Sequence, residues 1–420
     1  MDMTREDFTG RGTFTERFGL DTEVRSLEPY RSREFFELER EKVFDRAWLY
    51  MAREEELPEQ NSFIVKQFYP RNISVLITRD ASGHIQAFHN SCPHRGGIVV
   101  RAEAGRASRF SCQYHKWTFN NKGSLLGVPD EENFFPSLQK STCGLKKIST
   151  AMWEGWIFVN LMDEPEVTLE EFLGPIKDYL SGMIYLGAHN PVVYTAVLEA
   201  NWKAASDAFI ETYHIPHIHK QTIGSTFAGT INPHSRLISA QPLGPHRTIS
   251  AFGNTEYAAD PNSRVEKLGS KAGEAGNVIA QATLEDAADY LKHPAVNPNR
   301  TNHWSMDINQ VFPNFHIDTN PGGFLTHQFW PMSENQCFYE VRFYMNEAKH
   351  FRERFLQELY ITRVGEVVLE DLSNLWWTQR GIESSGTATM HLQDSEVAIR
   401  HSLDHVLKWT QSATVKEALA

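Results

Sequence analysis

At 420 residues the chain is too long for one ordinary hydrophobic core, so two domains or one large α+β unit are expected. With 41% hydrophobic and 22% charged residues, and no apolar run long enough to span a bilayer, it reads as a globular protein and not a membrane protein. A formal charge of -12 without a basic cluster excludes a surface built to track nucleic-acid phosphates.

Met1-Asp2-Met3-Thr4-Arg5-Glu6-Asp7 lacks the basic and then apolar start of a secretory signal, so a cytoplasmic location is expected. Residues 29–45 carry apolar positions at helical spacing behind Ser32, a candidate N-cap, and a helix is expected to open the fold. From Trp48 to about Val159 the texture changes to short alternating runs such as Ser62-Phe63-Ile64-Val65-Lys66 and Ile73 to Arg79. These are punctuated by Asp80-Ala81-Ser82-Gly83, which predicts a small antiparallel β domain. After Glu164-Pro165, strand-like runs near 192–199 and 323–346 alternate with amphipathic stretches near 167–181, 201–215 and 350–380, an α+β pattern. Residues 254–300 are rich in Asn, Asp, Gly, Ala and Pro, with weak helical pattern around Thr283 to Lys292, and read as an excursion over the second domain.

Four cysteines, Cys92, Cys112, Cys143 and Cys337, are too few for a disulfide framework in so long a chain. Two of them fall beside histidines on two loops of the β domain, as Cys92-Pro93-His94 and Cys112-Gln113-Tyr114-His115. Two thiolates and two imidazoles are the ligand set of a Rieske [2Fe-2S] centre, in which the neutral rings raise the reduction potential. A structural zinc site would take the same donors. Zinc fingers, however, pair Cys with Cys and His with His, and here each loop holds one of each.

Further on, Asn201-Trp202-Lys203 leads into Asp207-Ala208-Phe209-Ile210-Glu211-Thr212-Tyr213-His214-Ile215-Pro216-His217-Ile218-His219, a crowd of histidines and acids. Glu211 and His214 are spaced to share a helical face, whereas a helix cannot set His214 and His219 side by side. Pro216 is expected to break the helix and let those two rings converge. His217 competes, because its spacing from His214 also suits one face, and geometry alone does not choose between it and His219. Two histidines and one carboxylate make the facial triad of non-haem Fe(II) oxygenases. Glu370 and Asp371, within Val367-Val368-Leu369-Glu370-Asp371-Leu372-Ser373-Asn374-Leu375-Trp376-Trp377-Thr378-Gln379-Arg380-Gly381, are the distant acids that would complete it.

Asn90-Ser91-Cys92-Pro93-His94-Arg95-Gly96-Gly97 and Tyr114-His115-Lys116-Trp117-Thr118-Phe119 with Gly123 resemble the two cluster loops of the Rieske non-haem iron oxygenases, the aromatic ring-hydroxylating large or alpha subunits. The likeness runs from Trp48 through the C-terminal region and takes in Glu211, His214, His219 and the acidic pair with its following Gln-x-Gly. Gln113 and Lys116 depart from the Pro and Gly common in the second loop, and Asp207-Ala208 stands where the family often reads Glu-Asn.

The resemblance implies an α+β fold with a small antiparallel β Rieske domain (47–162) inserted before a larger helix-grip-like catalytic domain (163–420) of curved antiparallel sheet and flanking helices. An N-terminal helical segment (1–46) would pack on the catalytic domain. Cys92, His94, Cys112 and His115 would ligate the [2Fe-2S] cluster, and His214, His219 and Asp371 a mononuclear Fe(II), with Glu370 in reserve. Glu211 would link His214 to a cluster histidine of a neighbouring subunit, best matched by His115, in a homotrimer with or without a β subunit. Electrons would come from a separate NAD(P)H-dependent reductase, with or without a ferredoxin.

Asp207, Ala208, Phe209, Phe312, Trp376 and Trp377 are the candidates for a substrate pocket. No arginine pair marks a carboxylate binder, so hydroxylation or cis-dihydroxylation of a hydrophobic aromatic or polycyclic ring is the expected reaction, as in aromatic hydrocarbon catabolism. The rival is a monooxygenase that demethylates an O-methyl or N-methyl group. An electron-transfer protein using only the cluster would leave Glu211, His214, His219 and Asp371 without chemical purpose. A di-iron bundle built on the Glu-x-x-His runs at Glu211 and Glu347 would leave the Cys-His loops unexplained.

Overall fold

A computed structural model describes residues 3–8, 13–185, 188, 191–258, 264, 267–268, 289–320, 323–345 and 347–420. They divide into two compact units, one of Arg40–Phe172 with Thr414–Lys416, the other of Met1–Glu39, Leu173–Ala413 and Glu417–Ala420. The 254–300 excursion, with most of its helical pattern around Thr283 to Lys292, lies largely outside the described residues.

The alternating runs of the smaller unit pair as their period of two demands, because one face of each strand must be buried. Ser62–Phe68 runs antiparallel to Ile73–Arg79, which pairs in turn with Ile85–His89 within a seven-stranded sheet. The intervening turn is closed by Asp80. Its Oδ1 accepts from the backbone N–H of Ser82 at 2.8 Å and of His84 at 3.0 Å, while Gly83 supplies a φ of +89°. Burial works to raise the Asp80 carboxyl, but the hydrogen bonds from Ser82 and His84 hold it down at about 2. A second, three-stranded sheet of Arg109–Ser111, Thr118–Asn120 and Leu125–Gly127 shares a core in which Phe63, Leu76, Phe88, Phe119 and Leu125 enclose Cys92 and Cys112.

In the larger unit, the strand Pro191–Leu198 pairs with the last strand, Gln336–Tyr344, and the rest follow in reverse chain order: Gly323–Ser333, Phe315–Asn320, Trp304–Val311, His246–Phe252 and Ser239–Leu243. All seven are antiparallel. The central strands are buried along nearly their whole length, as expected of a sheet covered on both faces.

The amphipathic stretch at 350–380 becomes one long helix, Phe351–Glu383, whose buried residues Gln357, Ile361, Val368, Asp371, Leu375, Gln379 and Ile382 recur at helical spacing as one stripe. The stretch at 201–215 gives only the short helix Trp202–Asp207, capped by the Asn201 side chain, which accepts from the backbone N–H of Lys203 at 3.0 Å. Asn201 is also where the two helices are tied together. Its backbone N–H donates to Oε1 of Gln379 at 2.9 Å, and Nε2 of Gln379 donates to the carbonyl of Tyr30 at 3.2 Å.

Beneath the short helix, Lys203 and Glu39 form an ion pair of 2.6 Å with side chains only 3% and 0% exposed, and Trp202 Nε1–H donates to the second carboxylate oxygen at 3.1 Å. Removing one member strands the other charge in a dry site. Lys203→Ala is therefore expected to cost about 3–5 kcal/mol of unfolding free energy, while Lys203→Met combined with Glu39→Leu recovers most of it; denaturant titration of both proteins checks this.

Candidate functional site

The two Cys-His loops have the same backbone. Cys92 N–H donates to the Gly97 carbonyl and the Cys92 carbonyl accepts from Gly96 N–H, both at 2.8 Å; Cys112 N–H donates to Trp117 at 2.9 Å and its carbonyl accepts from Lys116 N–H at 2.8 Å. The fourth residue after each cysteine, Gly96 at φ +72° and Lys116 at φ +62°, takes the left-handed conformation. Lys116 thus keeps the turn a glycine would make, at a backbone cost of about 1 kcal/mol. The other departure supports it, since Lys116 Nζ donates to Gln113 Oε1 at 2.6 Å.

Both sulfurs lie inside the unit, on free cysteines each 2% exposed, whereas both imidazoles are half-buried at its surface with ring centroids 4.6 Å apart. Trp117 stacks on His94 at 4.9 Å and 5°, shielding the ring. Burial pushes the Cys92 thiol up, and the backbone N–H groups of His94 and Arg95 that point at the sulfur pull it back. Gly97 lies beside Cys112 Sγ, where an added Cβ would make an ordinary contact at 3.6 Å. Paired buried sulfurs with backbone donors, and paired rings turned outward, are the donor set a Rieske cluster takes.

In the larger unit His214, His219 and Asp371 converge, and among the described residues they are the one group of three or more such side chains able to hold a metal ion. His214 Nε2 stands 3.2 Å from His219 Nε2 and 3.3 Å from Asp371 Oδ1, and His219 Nε2 stands 3.0 Å from Asp371 Oδ1. Donors bound about 2.1 Å from one ion, on one face of an octahedron, stand about 3.0 Å apart, so the triangle has the size such an ion requires.

Each ring is held from behind. His214 Nδ1–H donates to Glu211 Oε1, and Glu211 Oε2 accepts from the backbone N–H groups of Tyr213 and His214. His219 Nδ1–H donates to Glu370 Oε2 at 2.7 Å, and Thr222 Oγ1–H donates to the same oxygen at 2.7 Å. With Nδ1 protonated, each Nε2 lone pair is left for the ion. Burial opposes charge on both rings, yet Asp371 and Glu211 carry His214 up to about 10, and Asp371 and Glu370 raise His219. Burial likewise works to raise Asp371, but the two rings hold it below its ordinary range. Three carboxylates around two imidazoles carry a surplus of negative charge that suits a divalent cation.

The local chain path differs from the helical one expected. The helix ends at Asp207, and Glu211 lies in irregular chain; Pro216 does not break a helix but sits in the first turn of a new one, Ile215–Ile218, where its missing N–H costs nothing. The turn so formed buries His219 and leaves His217 exposed against Tyr213. Glu370 is displaced from the triangle to the outer side of His219.

A cavity of about 420 Å³ opens on the triangle, lined by Ala208, Phe209, Ile215, Ile223, Phe227, Met306, Leu325 and Val368 among others. Of the six pocket candidates, Ala208 and Phe209 line this cavity; Asp207, Phe312, Trp376 and Trp377 do not. Asp207 turns away to accept from the Tyr30 hydroxyl at 2.6 Å, which satisfies a buried carboxyl group. Phe312 packs against Trp409 in the core. Trp376 and Trp377 leave the buried stripe of their helix, and Trp377 is 64% exposed. Sequence reasoning missed Thr222, for which no signal exists, and Asp318, Asn320 and His327 in the wall. The period-two run His316, Asp318, Asn320 on a central strand was a signal for the last group.

A family model described as the ring hydroxylating alpha subunit (catalytic domain) matches residues 186–412, and one for the Rieske [2Fe-2S] domain matches residues 47–147. The chain belongs to the ring-hydroxylating alpha subunit family. A Rieske domain carries a [2Fe-2S] cluster and the catalytic domain of this family a mononuclear iron, which the two donor sets above fit.

The alpha subunit of biphenyl 2,3-dioxygenase from Rhodococcus jostii is 30% identical over 276 residues, 61% of this chain and 56% of its own. The large subunit of anthranilate 1,2-dioxygenase from Acinetobacter baylyi is 31% identical over 194 residues, 44% and 40%. The chain spans about half the length of the curated relatives it matches. Naphthalene 1,2-dioxygenase from Rhodococcus sp. shares the fold with a TM-score of 0.73 at 21% identity, over 96% of this chain and 98% of that one. The quaternary ammonium Rieske monooxygenase CntA shares it with a TM-score of 0.70 at 18%, over 93% and 96%.

Two predictions concern this ring-hydroxylating alpha subunit. Glu370→Ala, which frees the outer nitrogen of His219, is expected to weaken metal affinity by about ten- to a hundredfold in a chelator-competition titration. Burial lifts Asp207 to about 7, above its unfolded value, so its contribution to stability is present in acid and lost as pH rises through about 7. Asp207→Asn should flatten that fall, which thermal unfolding at pH 5 and pH 8 will register.

Proposed function

We propose that this chain is the terminal oxygenase component of a multicomponent Rieske oxygenase that hydroxylates or cis-dihydroxylates a hydrophobic aromatic or polycyclic ring. The observation that carries the reading is the donor triangle opening into an apolar cavity, since O2 chemistry on a ring needs an ion with free positions beside a dry, ring-accepting wall. His214, His219 and Asp371 are the proposed ligands, and Cys92, His94, Cys112 and His115 those of the cluster. A ferrous ion held by the triad supplies the oxygen-activating chemistry. Glu211 and Glu370 fix the tautomers of the two rings, and the apolar wall orients the substrate and excludes water.

The proposal extends to partners. A NAD(P)H-dependent reductase, directly or through a ferredoxin, supplies electrons at the outward-facing imidazoles of the cluster. In a homotrimer Glu211 meets His115 of a second copy of this chain, so that Glu211→Ala, loaded with saturating iron to offset the lost support of His214, is expected to hold both metals while losing coupling between reductase turnover and product. The relatives named for biphenyl and anthranilate support the ring-oxygenating reading, and the fold shared with a quaternary ammonium monooxygenase supports the alternative, a demethylating monooxygenase.

Product analysis with labelled O2, a reconstituted reductase and a set of aromatic and polycyclic compounds tests the proposal. Two labelled oxygens in a cis-diol, or one in a phenol, are the expected results; formaldehyde release with O- or N-methyl substrates would favour the alternative. A cluster-only electron carrier would hold about two irons and two acid-labile sulfides per chain, against about three and two expected here.

A further inference from the structure

The wall of the cavity carries one acid that the iron site does not use. Asp318 lies on the central strand Phe315–Asn320 and lines the cavity, 3% exposed. Its Oδ2 stands 3.2 Å from His327 Nε2, and His327 Nδ1 stands 2.6 Å from the Tyr339 hydroxyl. The three groups are satisfied in one direction: Tyr339 O–H donates to Nδ1, and Nε2–H donates to Oδ2. Phe209 lies tilted against His327, at 4.7 Å, and stacks on Tyr339, at 5.7 Å, so the bonded pair is packed from one side. The other carboxylate oxygen, Oδ1, is buried and has no hydrogen-bond partner among the described residues.

A buried carboxylate oxygen without a donor is costly, and it is found where a missing partner completes the site. Resting on the oxygenase reading above, we infer that the substrate is a ring compound bearing a hydrogen-bond donor, an amine or a hydroxyl, which the free oxygen of Asp318 receives while the rest of the ring lies against the apolar wall. Asn320, Tyr360 and Arg363 line the same cavity and add polar surface to it, while Ile215, Ile223, Phe227 and Leu325 supply apolar wall. A site built this way discriminates against the same ring without its donor, because the unmatched ligand leaves the oxygen buried and unpaired.

Calorimetric binding to the purified, metal-loaded protein tests the inference without turnover. The probes are naphthalene, naphthol, aminonaphthalene and methoxynaphthalene, the last of which can only accept. Naphthol and aminonaphthalene are expected to bind about tenfold or more tightly than the other two. Asp318→Leu should erase that preference, and Asp318→Asn, which adds a donor, should bring methoxynaphthalene up. If that leucine variant does not fold, the ranking by the unaltered protein decides alone. Equal binding of all four overturns the inference and leaves the oxygenase reading standing, as would tightest binding of methoxynaphthalene, the sign that Asp318 carries the proton. Binding of none overturns both.

Discussion

Everything in the larger unit turns on bringing two acids from the helix Phe351–Glu383 against two histidines that lie far earlier in the chain, and on holding them without a covalent link. The Asn201–Gln379 pair does this mechanically. One side-chain amide satisfies the backbone at the start of the helix Trp202–Asp207 and, through its other end, the carbonyl of Tyr30, so the long helix cannot slide along its axis without breaking buried bonds. Two turns before Gln379 on the same stripe stands Asp371, and its register follows from that anchor. The cost of assembling three carboxylates and two rings in one place is then carried by apolar packing elsewhere in the unit.

The outer hydrogen bonds give the site its polarity. Glu211 and Glu370 accept hydrogen bonds from Nδ1–H of His214 and His219, and both Nε2 atoms face Asp371. The cluster loops solve a matching problem by symmetry of backbone: two turns with the same pair of hydrogen bonds bury the sulfurs and present the rings. Soft donors inside and nitrogen donors outside leave the imidazoles as the surface through which charge can pass.

Much of this was legible in the sequence because ligands are sparse and types are telling. Cys92, His94, Cys112 and His115 stand in two short loops with no competing donors, and the late acidic pair stands on a long amphipathic helix that the period of its apolar residues announces. The path between Asp207 and His219 was not legible. Proline reads as a helix breaker from composition, and only the three-dimensional turn reveals that Pro216 begins a helix; spacing alone leaves His217 open, the family resemblance names His219, and His219 is the ring that turns inward. Trp376 and Trp377 misled for a related reason, since large aromatic residues suggest a pocket wherever they fall, and the phase of their helix put them outside the buried stripe. Glu370 was read as a spare ligand; one position from Asp371 on a helix it points about 100° away, which suits a support for His219 and not a place beside the ion.

Anomalous diffraction at the iron edge from crystals of the iron-loaded protein tests the central claim most directly. The account predicts one isolated iron within about 2.1 Å of Nε2 of His214, Nε2 of His219 and a carboxylate oxygen of Asp371. An iron bound through Glu370 or His217, or a triangle that holds none, would contradict it.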